Sequence, residues 1–319
     1  LPITIISADI APMNAALYRT EEALIIPKVE SEGALEIFTK IILREKIDVV
    51  MVGSEYDLVF FSKNKTIIEE KTHAVIIAAP IETIQIADDK WLTAEHLRLN
   101  GLPYAEAVLP KDVEDACRLA EEWGYSVVLK TRRGTSSRHV HIIESKQMLI
   151  DCYSLTPLPM LQRLIDTPTT ELHTEYTCSV FKGSDRKIIG PFTARRTVRG
   201  GTSWHVEVAR FDALEATLLA IGQSLEFIGS LNIQLMLTEQ GPIPFELNAR
   251  FSGTTAIRAH FGFNEPEMAL LSYFYKQKIP VQDIRSGIAL RYHEEVFIEN
   301  LSAKELVPNI HKGTVNTWF

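Results

Sequence analysis

In the segment IPFELNAR, residues 243–250, polar residues occupy every second position from Glu246 onward, in a pattern that could bind a metal ion and phosphate. Glu246, Asn248 and Arg250 alternate with apolar neighbours, so on a β-strand the three side chains would lie on one face. Carboxylate and amide oxygens suit Mg²⁺, and a guanidinium can neutralise a phosphoryl group during transfer. A solvent-facing strand edge would show the same spacing, and the pattern alone leaves both interpretations open.

A second run, LNIQLML at residues 231–237, precedes this strand, and the connecting residues TEQGP predict an antiparallel hairpin. If the turn is centred on Gln240, Gln234 lies opposite Glu246 on the polar face. We therefore predict that Gln234 joins the polar row. A slip of one residue in the pairing would destroy this arrangement.

Two further segments concentrate positive charge. The predicted strand YSVVLK ends at Lys130, and the loop TRRGTSSRHV that follows contains glycine and hydroxyl residues that allow a close approach to phosphate. This loop is a candidate lid over a nucleotide, although such loops are also common connections and no GxxxxGK[ST] sequence is present. Arg195, Arg196 and Arg199 precede paired glycines, which fits either a local anion site or a solvated basic loop.

The elements that must position these residues change character along the chain. The opening third contains short β-rich apolar runs at 3–8, 48–53 and 74–79, separated by helical patterns. These runs predict buried parallel strands in a Rossmann-like layer. Because no GxGxxG sequence follows a strand, dinucleotide binding by this layer is disfavoured.

From about residue 88 onward, a helix precedes the strands. The segment DVEDACRLAEEWG predicts an amphipathic helix that is capped by Asp112 and ended by Gly124. Residues 174–181 predict a strand, and residues 212–229 predict a helix terminated by glycine. The chain is therefore α/β followed by α+β.

The totals restrict the function classes. A length of 319 residues predicts two or three packed units, and a formal net charge of −8 disfavours general binding to nucleic acid, so any phosphate site must be local. Three widely spaced cysteines without a CxxC pair support neither a disulfide framework nor a zinc site, which favours a cytoplasmic location. No apolar run is long enough for a membrane span, and the start at Leu1 suggests that the native N-terminus lies upstream.

Two common enzyme classes lack their sequence patterns. No GxSxG sequence is present, which disfavours a Ser-His-Asp hydrolase. The nine histidines show no HExxH spacing, so structural or solvent-facing roles are favoured for His139, His141 and His205.

Across roughly residues 86–275, the chain resembles the ATP-grasp superfamily, in particular the branch similar to the carbamoyl-phosphate synthase large subunit and stand-alone carboxylate–amine ligases. The segments DDKWLTAEHLRLNGLP, VVLKTRRGTSS, TEYTCSVF, RRTVRGGTS, LNIQ and PFELNARFSGTT occur in the family's order. The resemblance implies an ATP-grasp fold preceded by a small, N-terminally shortened Rossmann-like domain. We expect domains at 1–87, 88–170 (first lobe with the lid) and 171–319 (second lobe and C-terminal segment).

The resemblance also implies roles for individual residues. Nucleotide contacts would come from Lys90, Lys130, Ser136, Ser137, Gln162, Leu164 and Glu175, with Glu175 on the ribose and Glu171 as its alternative. Gln234, Glu246 and Asn248 would organise Mg²⁺ or Mn²⁺, and Arg250 with either Arg195 or Arg196 would stabilise a phosphorylated intermediate. Arg163 stands where relatives often carry an acidic hinge residue.

The implied activity is ATP-dependent joining of a small, amino-acid-like carboxylate to an amine through an acyl phosphate. The expected partners are therefore ATP and small acid and amine substrates, without nucleic acid or membrane, and a homodimer is the candidate assembly. A small-molecule kinase, a carbamoyl-phosphate-type synthase and a non-catalytic nucleotide-binding regulatory module remain alternatives.

Overall fold

The computed structural model describes residues 2–134, 139–167, 174–299 and 314–316. The chain divides into two compact units. The first unit comprises residues 1–47, 70–73 and 292–319, and the second comprises residues 48–69 and 74–291. The division into three domains at residues 87 and 170 stays a prediction.

Helices are distributed along the whole described chain. The α-helices are α1 (Ala34–Arg44), α2 (Glu55–Thr72), α3 (Ile81–Asp88), α4 (Lys90–Leu99), α5 (Val113–Trp123), α6 (Lys146–Tyr153), α7 (Asp212–Ser224), α8 (Thr255–His260) and α9 (Glu265–Ala269). A 3-10 helix spans Ala15–Arg19, and a π-helical turn spans Leu270–Phe274. Within the described ranges, no helix combines the length and the apolar content needed to cross a bilayer.

Within the described residues, the strands fall into five sheets, of which two are larger than a strand pair. In the first half of the chain they are β1 (Ile6–Asp9), β2 (Glu22–Ile25), β3 (Val49–Met51), β4 (Val75–Ile77), β5 (Ala107–Val108), β6 (Val127–Thr131), β7 (Val140–Ile143) and β8 (Pro159–Arg163). In the second half they are β9 (Glu175–Lys182), β10 (Ile188–Phe192), β11 (Ala194–Arg199), β12 (Thr202–Val208), β13 (Gly229–Thr238), β14 (Gly241–Asn248), β15 (Gly287–Leu290), β16 (Phe297–Glu299) and β17 (Thr314–Asn316).

The first unit is built around two strand pairs. β1 and β2 are parallel, and β16 and β17 are antiparallel. Leu17, Tyr18 and Ala23 form a small buried cluster against which Val296 and Ile298 pack. Burial of these apolar side chains holds the N-terminal and C-terminal segments of this unit together.

The second unit begins with the parallel pair β3 and β4, which confirms the strands predicted within residues 48–53 and 74–79. Ile76 and Ile77 are buried, as expected for a parallel pair covered on both faces. Val49, Met51 and Val75 pack against a larger hydrophobic cluster of the same unit.

A four-stranded antiparallel sheet in the order β5-β8-β6-β7 follows. Helices α5 and α6 pack on it through a core that includes Ala116, Ala120 and Leu149. The Asp112 side chain accepts a hydrogen bond from the Asp115 amide, and Gly124 ends the helix, which confirms both predicted caps of α5.

The second large sheet has seven strands, in the order β14-β13-β9-β11-β12-β15 with β10 also paired to β9. Helix α7 packs against β9 and β10. The prediction that α7 ends at a glycine is wrong. The chain leaves the helix at Leu225, whose backbone is extended, because Leu225 and Phe227 are drawn into the core, and Gly229 instead begins β13.

The hairpin of β13 and β14 has the predicted register at its polar end. Gln234 pairs with Glu246, and Asn232 pairs with Asn248. At the turn, the pairing is offset by one residue from the prediction, since Thr238 pairs with Gly241 rather than with Pro242.

A β-bulge in β14 explains why the pairing at the turn differs from the pairing of the polar row. Leu235 pairs with Pro244 while Gln234 pairs with Glu246, so Phe245 is the extra residue of β14. The bulge shifts the pairing by one position between the turn and Glu246. Without this shift, Glu246 would face the opposite side of the sheet.

A fully buried ion pair lies on the same face of this sheet as the polar row, beside Ser230 and Asn232 of β13. Arg258 of α8 and Glu265 of α9 are both 0% exposed, and their charged atoms lie 3.2 Å apart. Ser179 and Ser230 donate to the Glu265 carboxylate, and Arg258 donates to the side-chain oxygen of Asn232. This network pairs two buried charges that would be costly if left alone, and it holds the side chain of Asn232.

Candidate active site

A cavity of about 770 Å³ in the second unit is lined by residues of both large sheets. Ten of the thirteen residues predicted for the site line it: Lys90, Lys130, Gln162, Leu164, Glu175, Arg196, Gln234, Glu246, Asn248 and Arg250. Ser136 and Ser137 lie outside the described residues. The structure therefore brings together segments that are widely separated in the sequence, while the individual roles of these residues stay predictions.

The polar row of the hairpin is connected by hydrogen bonds. Oε1 of Glu246 accepts from Nε2 of Gln234 and from Nδ2 of Asn248, each at 3.1 Å. Nη2 of Arg250 lies 3.4 Å from Oδ1 of Asn248. One carboxylate and two amides are a suitable donor set for a hard cation that takes its other ligands from phosphate and water.

No cluster of three or more His, Cys, Asp or Glu residues that could hold a metal ion occurs in the part of the chain that the structure describes. The Glu246 carboxylate is flanked by the amides of Gln234 and Asn248. This chemistry fits Mg²⁺, which commonly uses one or two protein carboxylates together with substrate phosphates. It fits zinc poorly, because zinc prefers histidine and cysteine.

Arg196 extends the row across two more strands. Its Nη2 atom lies 2.5 Å from Oε1 of Glu175 and 2.9 Å from Oε1 of Gln234, and Nη1 donates to Oγ of Ser203 at 2.7 Å. Arg196 pairs directly with Glu175 on the neighbouring strand, so both side chains face the cavity. The result is a continuous polar chain from Glu175 to Arg250.

Arg195 does not line the cavity. Its Nε atom donates to Oε2 of Glu207 at 2.6 Å, and its guanidinium lies over the ring of Phe211. Because neighbouring residues of a strand point to opposite faces, β11 can present only one of the two arginines to the cavity. Of the two alternatives predicted from the sequence, the structure places Arg196 at the site.

Lys130 contributes a buried cation from the opposite sheet. The side chain is 4% exposed, and its Nζ atom donates to Oε1 of Gln162 at 2.6 Å. Burial, reinforced by the positive charge of Lys90, lowers the pKa of Lys130 to about 7. An anionic ligand in the cavity would favour its charged form.

Lys90 is held at the start of the loop that follows β6. Its Nζ atom donates to the carbonyl of Gly134 at 2.8 Å, and its amide donates to the carbonyl of Arg132. Asp89 caps helix α4 and accepts two hydrogen bonds from the Arg132 guanidinium. The DDK sequence therefore anchors the end of β6 to the start of α4.

The apolar part of the cavity lies between the two sheets. It is formed by side chains from β6, β7, β13 and β14, namely Val128, Val140, Ile142, Met236 and Phe245. The predicted alternation of polar and apolar faces is wrong at Phe245, because the bulge interrupts it and both Phe245 and Glu246 line the cavity. A slot with apolar walls and a polar end suits a planar ring carrying charged groups.

Three charged lining residues, Glu55, Asp166 and Arg291, were missed in the sequence. Glu55 follows the predicted strand at 48–53, and its position at the carboxyl end of a parallel strand is a signal that could have identified it. Arg291 donates to the carbonyl of Gly253 at 2.8 Å and has no comparable sequence signal.

Comparisons with known proteins connect this geometry to characterised relatives. No protein-family model matches the chain. It is 28% identical over 123 residues to the carbamoyl phosphate synthase large chain of Caldanaerobacter subterraneus subsp. tengcongensis, covering 37% of this chain and 12% of that protein. It is 23% identical over 271 residues to the arginine-specific large chain of Eremothecium gossypii, covering 79% of this chain and 24% of that protein. The chain thus spans at most about a quarter of these relatives.

A solved structure shares the fold over nearly the whole chain. The biotin carboxylase domain of the 2-oxoglutarate carboxylase of Hydrogenobacter thermophilus is 16% identical, with a TM-score of 0.71 over 98% of this chain and 77% of that one. That domain is a dimer in complex with MgADP, ADP and bicarbonate. The shared architecture shows that the chain has the ATP-grasp fold.

Proposed function

We propose that the protein is an ATP-dependent ligase that joins a small carboxylate to an amine through an acyl phosphate. The observation that carries this proposal is the continuous polar chain from Glu175 through Arg196, Gln234, Glu246 and Asn248 to Arg250, which faces Lys130 across the cavity. Such an arrangement offers a cation site and fixed positive charges around one triphosphate.

In this proposal, the nucleotide lies between the two large sheets. Its base occupies the apolar slot beside Phe245, and Glu175 accepts hydrogen bonds from the ribose hydroxyls. Lys90 and Lys130 bind phosphate oxygens. Gln234, Glu246 and Asn248 hold Mg²⁺, after rotation of the two amides so that their oxygens face the ion. The bound ion would neutralise charge on the phosphates.

The chemical problem that the site addresses is that a carboxylate is a poor acyl donor. A carboxylate oxygen of the acid attacks the γ-phosphorus, the bond to the β-phosphate oxygen breaks, and ADP leaves. The amine then attacks the acyl carbon, phosphate leaves, and the amine loses a proton. Arg250 and Arg196 stabilise negative charge in both steps, which can contribute several kcal/mol in a preorganised site.

A second candidate is a carbamoyl-phosphate-type reaction, in which bicarbonate is the acid. Both sequence relatives are carbamoyl phosphate synthase large chains, which favours this candidate. An amino-acid-like acid, as the sequence suggests, and bicarbonate differ in size. They also differ in the product that forms beside ADP and phosphate. The predicted homodimer and cytoplasmic location stay predictions.

A screen of paired acids and amines tests the proposal. The purified protein is incubated with MgATP and each pair, ADP release is followed, and products are identified by mass. ADP release that requires both partners, with a product mass equal to the sum of acid and amine less water, is expected. A phosphorylated acid that accumulates without consumption of amine would instead identify a kinase, and absence of ADP release with every pair, including bicarbonate and ammonia, would contradict the proposed activity.

A further inference from the structure

Glu55 brings a carboxylate to the end of the polar row from a distant part of the chain. It is the first residue of α2, and a short connection separates it from the end of β3. An acidic side chain in the first turn of a helix is stabilised by the partial positive charge of the helix N-terminus. Oε2 of Glu55 lies 2.5 Å from Nη2 of Arg250, and the two side chains are 27% and 15% exposed.

The guanidinium of Arg250 has three acceptors around it. Nη1 donates to the carbonyl of Phe251 at 2.9 Å, and Nη2 faces Oδ1 of Asn248 as well as Glu55. Of these three acceptors, Phe251 and Asn248 belong to the same strand end as Arg250. Glu55 is 195 positions away in the sequence and is the charged one, so it fixes the direction of the guanidinium relative to a separate element.

The negative charge of Glu55 allows two possible effects to be distinguished, namely orientation of the Arg250 guanidinium and attraction of an anionic substrate. A carboxylate beside Arg250 reduces the net positive charge that an incoming anion meets, so Glu55 does not strengthen anion binding. Its contribution must be the fixed orientation of a planar, forked donor group. Removing the charge should therefore leave acid binding intact or stronger while it slows the chemical step.

We propose that Glu55 is a positioning residue that aims the Arg250 guanidinium at the reacting carboxyl and phosphoryl groups. The proposal rests on the ligase function proposed above. It assigns to the first turn of α2 a part in the site that neither the sequence motifs nor the comparisons indicate. Small misplacement of such a group is costly, because stabilisation of developing charge depends on hydrogen-bond geometry.

The test compares Glu55→Gln, Arg250→Lys and the double variant, using the acid and amine found in the screen. Glu55→Gln is expected to lower kcat by about 10- to 100-fold, with KM for the acid unchanged or lower. The double variant is expected to be no slower than Arg250→Lys alone, because both changes remove the same interaction. Glu55→Ala should give the same pattern and replaces Glu55→Gln if that variant does not fold.

Glu226→Gln is the matched control. Glu226 forms an ion pair of the same length with Arg186 in the same unit, away from the cavity, so its loss should leave kcat within about twofold of the wild type. A Glu55→Gln variant with wild-type kcat, or multiplicative effects in the double variant, would overturn the positioning role while leaving the ligase function intact.

A crystal structure of the Glu55→Gln variant gives a readout that does not depend on activity. We expect the Arg250 guanidinium to turn away from its wild-type direction. An unchanged Arg250 side chain would contradict the positioning role of Glu55, whatever the activity of the wild-type protein. The ligase function is contradicted by a separate result, the absence of ADP release from the wild-type protein with every pair.

Discussion

Nζ of Lys130 lies 2.6 Å from Oε1 of Gln162, and this hydrogen bond joins adjacent strands β6 and β8 at the wall of the cavity. One hydrogen bond to an amide oxygen offsets only part of the free energy that a charged ammonium group loses when it is removed from water. The lowered pKa of Lys130, about 7, follows from this environment. The charge of the cavity therefore changes near neutral pH.

Binding of an ATP analogue is expected to be coupled to proton uptake by Lys130. At pH 8 most of the Lys130 side chain is neutral, because its pKa of about 7 lies below that pH, and the triphosphate would favour the charged form. At pH 6 the side chain is already charged. Isothermal titration with Mg·AMP-PNP in buffers of different ionisation enthalpy should therefore show about one proton more taken up at pH 8 than at pH 6.

The Lys130→Met variant is the control for this measurement, because it retains the titration of the analogue's own phosphate. The proton uptake specific to pH 8 should be absent in it. Equal uptake by the variant and the wild type would show that Lys130 does not change its protonation on binding.

Replacement of Glu246 by alanine is expected to abolish magnesium-dependent turnover, by a factor of at least about 100, while the protein remains folded. The change removes the carboxylate on which the amides of Gln234 and Asn248 converge. Glu239→Ala, at the exposed turn of the same hairpin, is the matched control and should keep wild-type turnover. Near-normal turnover of Glu246→Ala would remove Glu246 from the metal site.

The two neighbouring arginines of β11 should respond differently to lysine. Arg196→Lys is expected to lower kcat by about 10- to 100-fold, because a single ammonium cannot reproduce the contacts to Glu175, Ser203 and Gln234. Arg195→Lys, on the opposite face, should stay within about threefold of the wild type. Equal losses of kcat in the two variants would show that the face of β11 on which an arginine lies does not decide its role in turnover.

The buried pair of Arg258 and Glu265 is expected to matter for stability. Arg258→Met leaves Glu265 buried without its cation, which should lower the free energy of unfolding by about 3–5 kcal/mol in urea denaturation. The double variant Arg258→Met/Glu265→Leu removes both charges and should recover most of this loss. A double variant as unstable as the single one would show that the charge left behind is not the cause.

Much of the site could be predicted because its residues follow local rules. The alternation of Glu246, Asn248 and Arg250 fixes one face of a strand, and the capping of α5 by Asp112 follows from residue type and spacing. In both cases, the determining interactions lie within a few residues of each other or across one turn.

The remaining features depend on contacts that local spacing does not encode. Phe245 reads as an ordinary strand residue, and only its pairing across the hairpin reveals that it is the extra residue of a bulge. The end of α7 is set by burial of Leu225 and Phe227 rather than by Gly229. Glu55 had only the signal of its place after a predicted strand, and Arg291 had none, because tertiary packing brings both beside the polar row.

The pairing of β13 with two neighbours has a consequence for how this hairpin tolerates change. β13 is in register with β9 from Gly229 to Met236, so Gln234 keeps its place whatever the connection to β14 looks like. The bulge at Phe245 lies between the tip of the hairpin and Glu246, so a change at the tip need not alter the pairing of Glu246. Residues 239 and 240 are thus a natural point for inserting a peptide tag or a fluorescent label, and for natural variation in length, without disturbing the chemistry below.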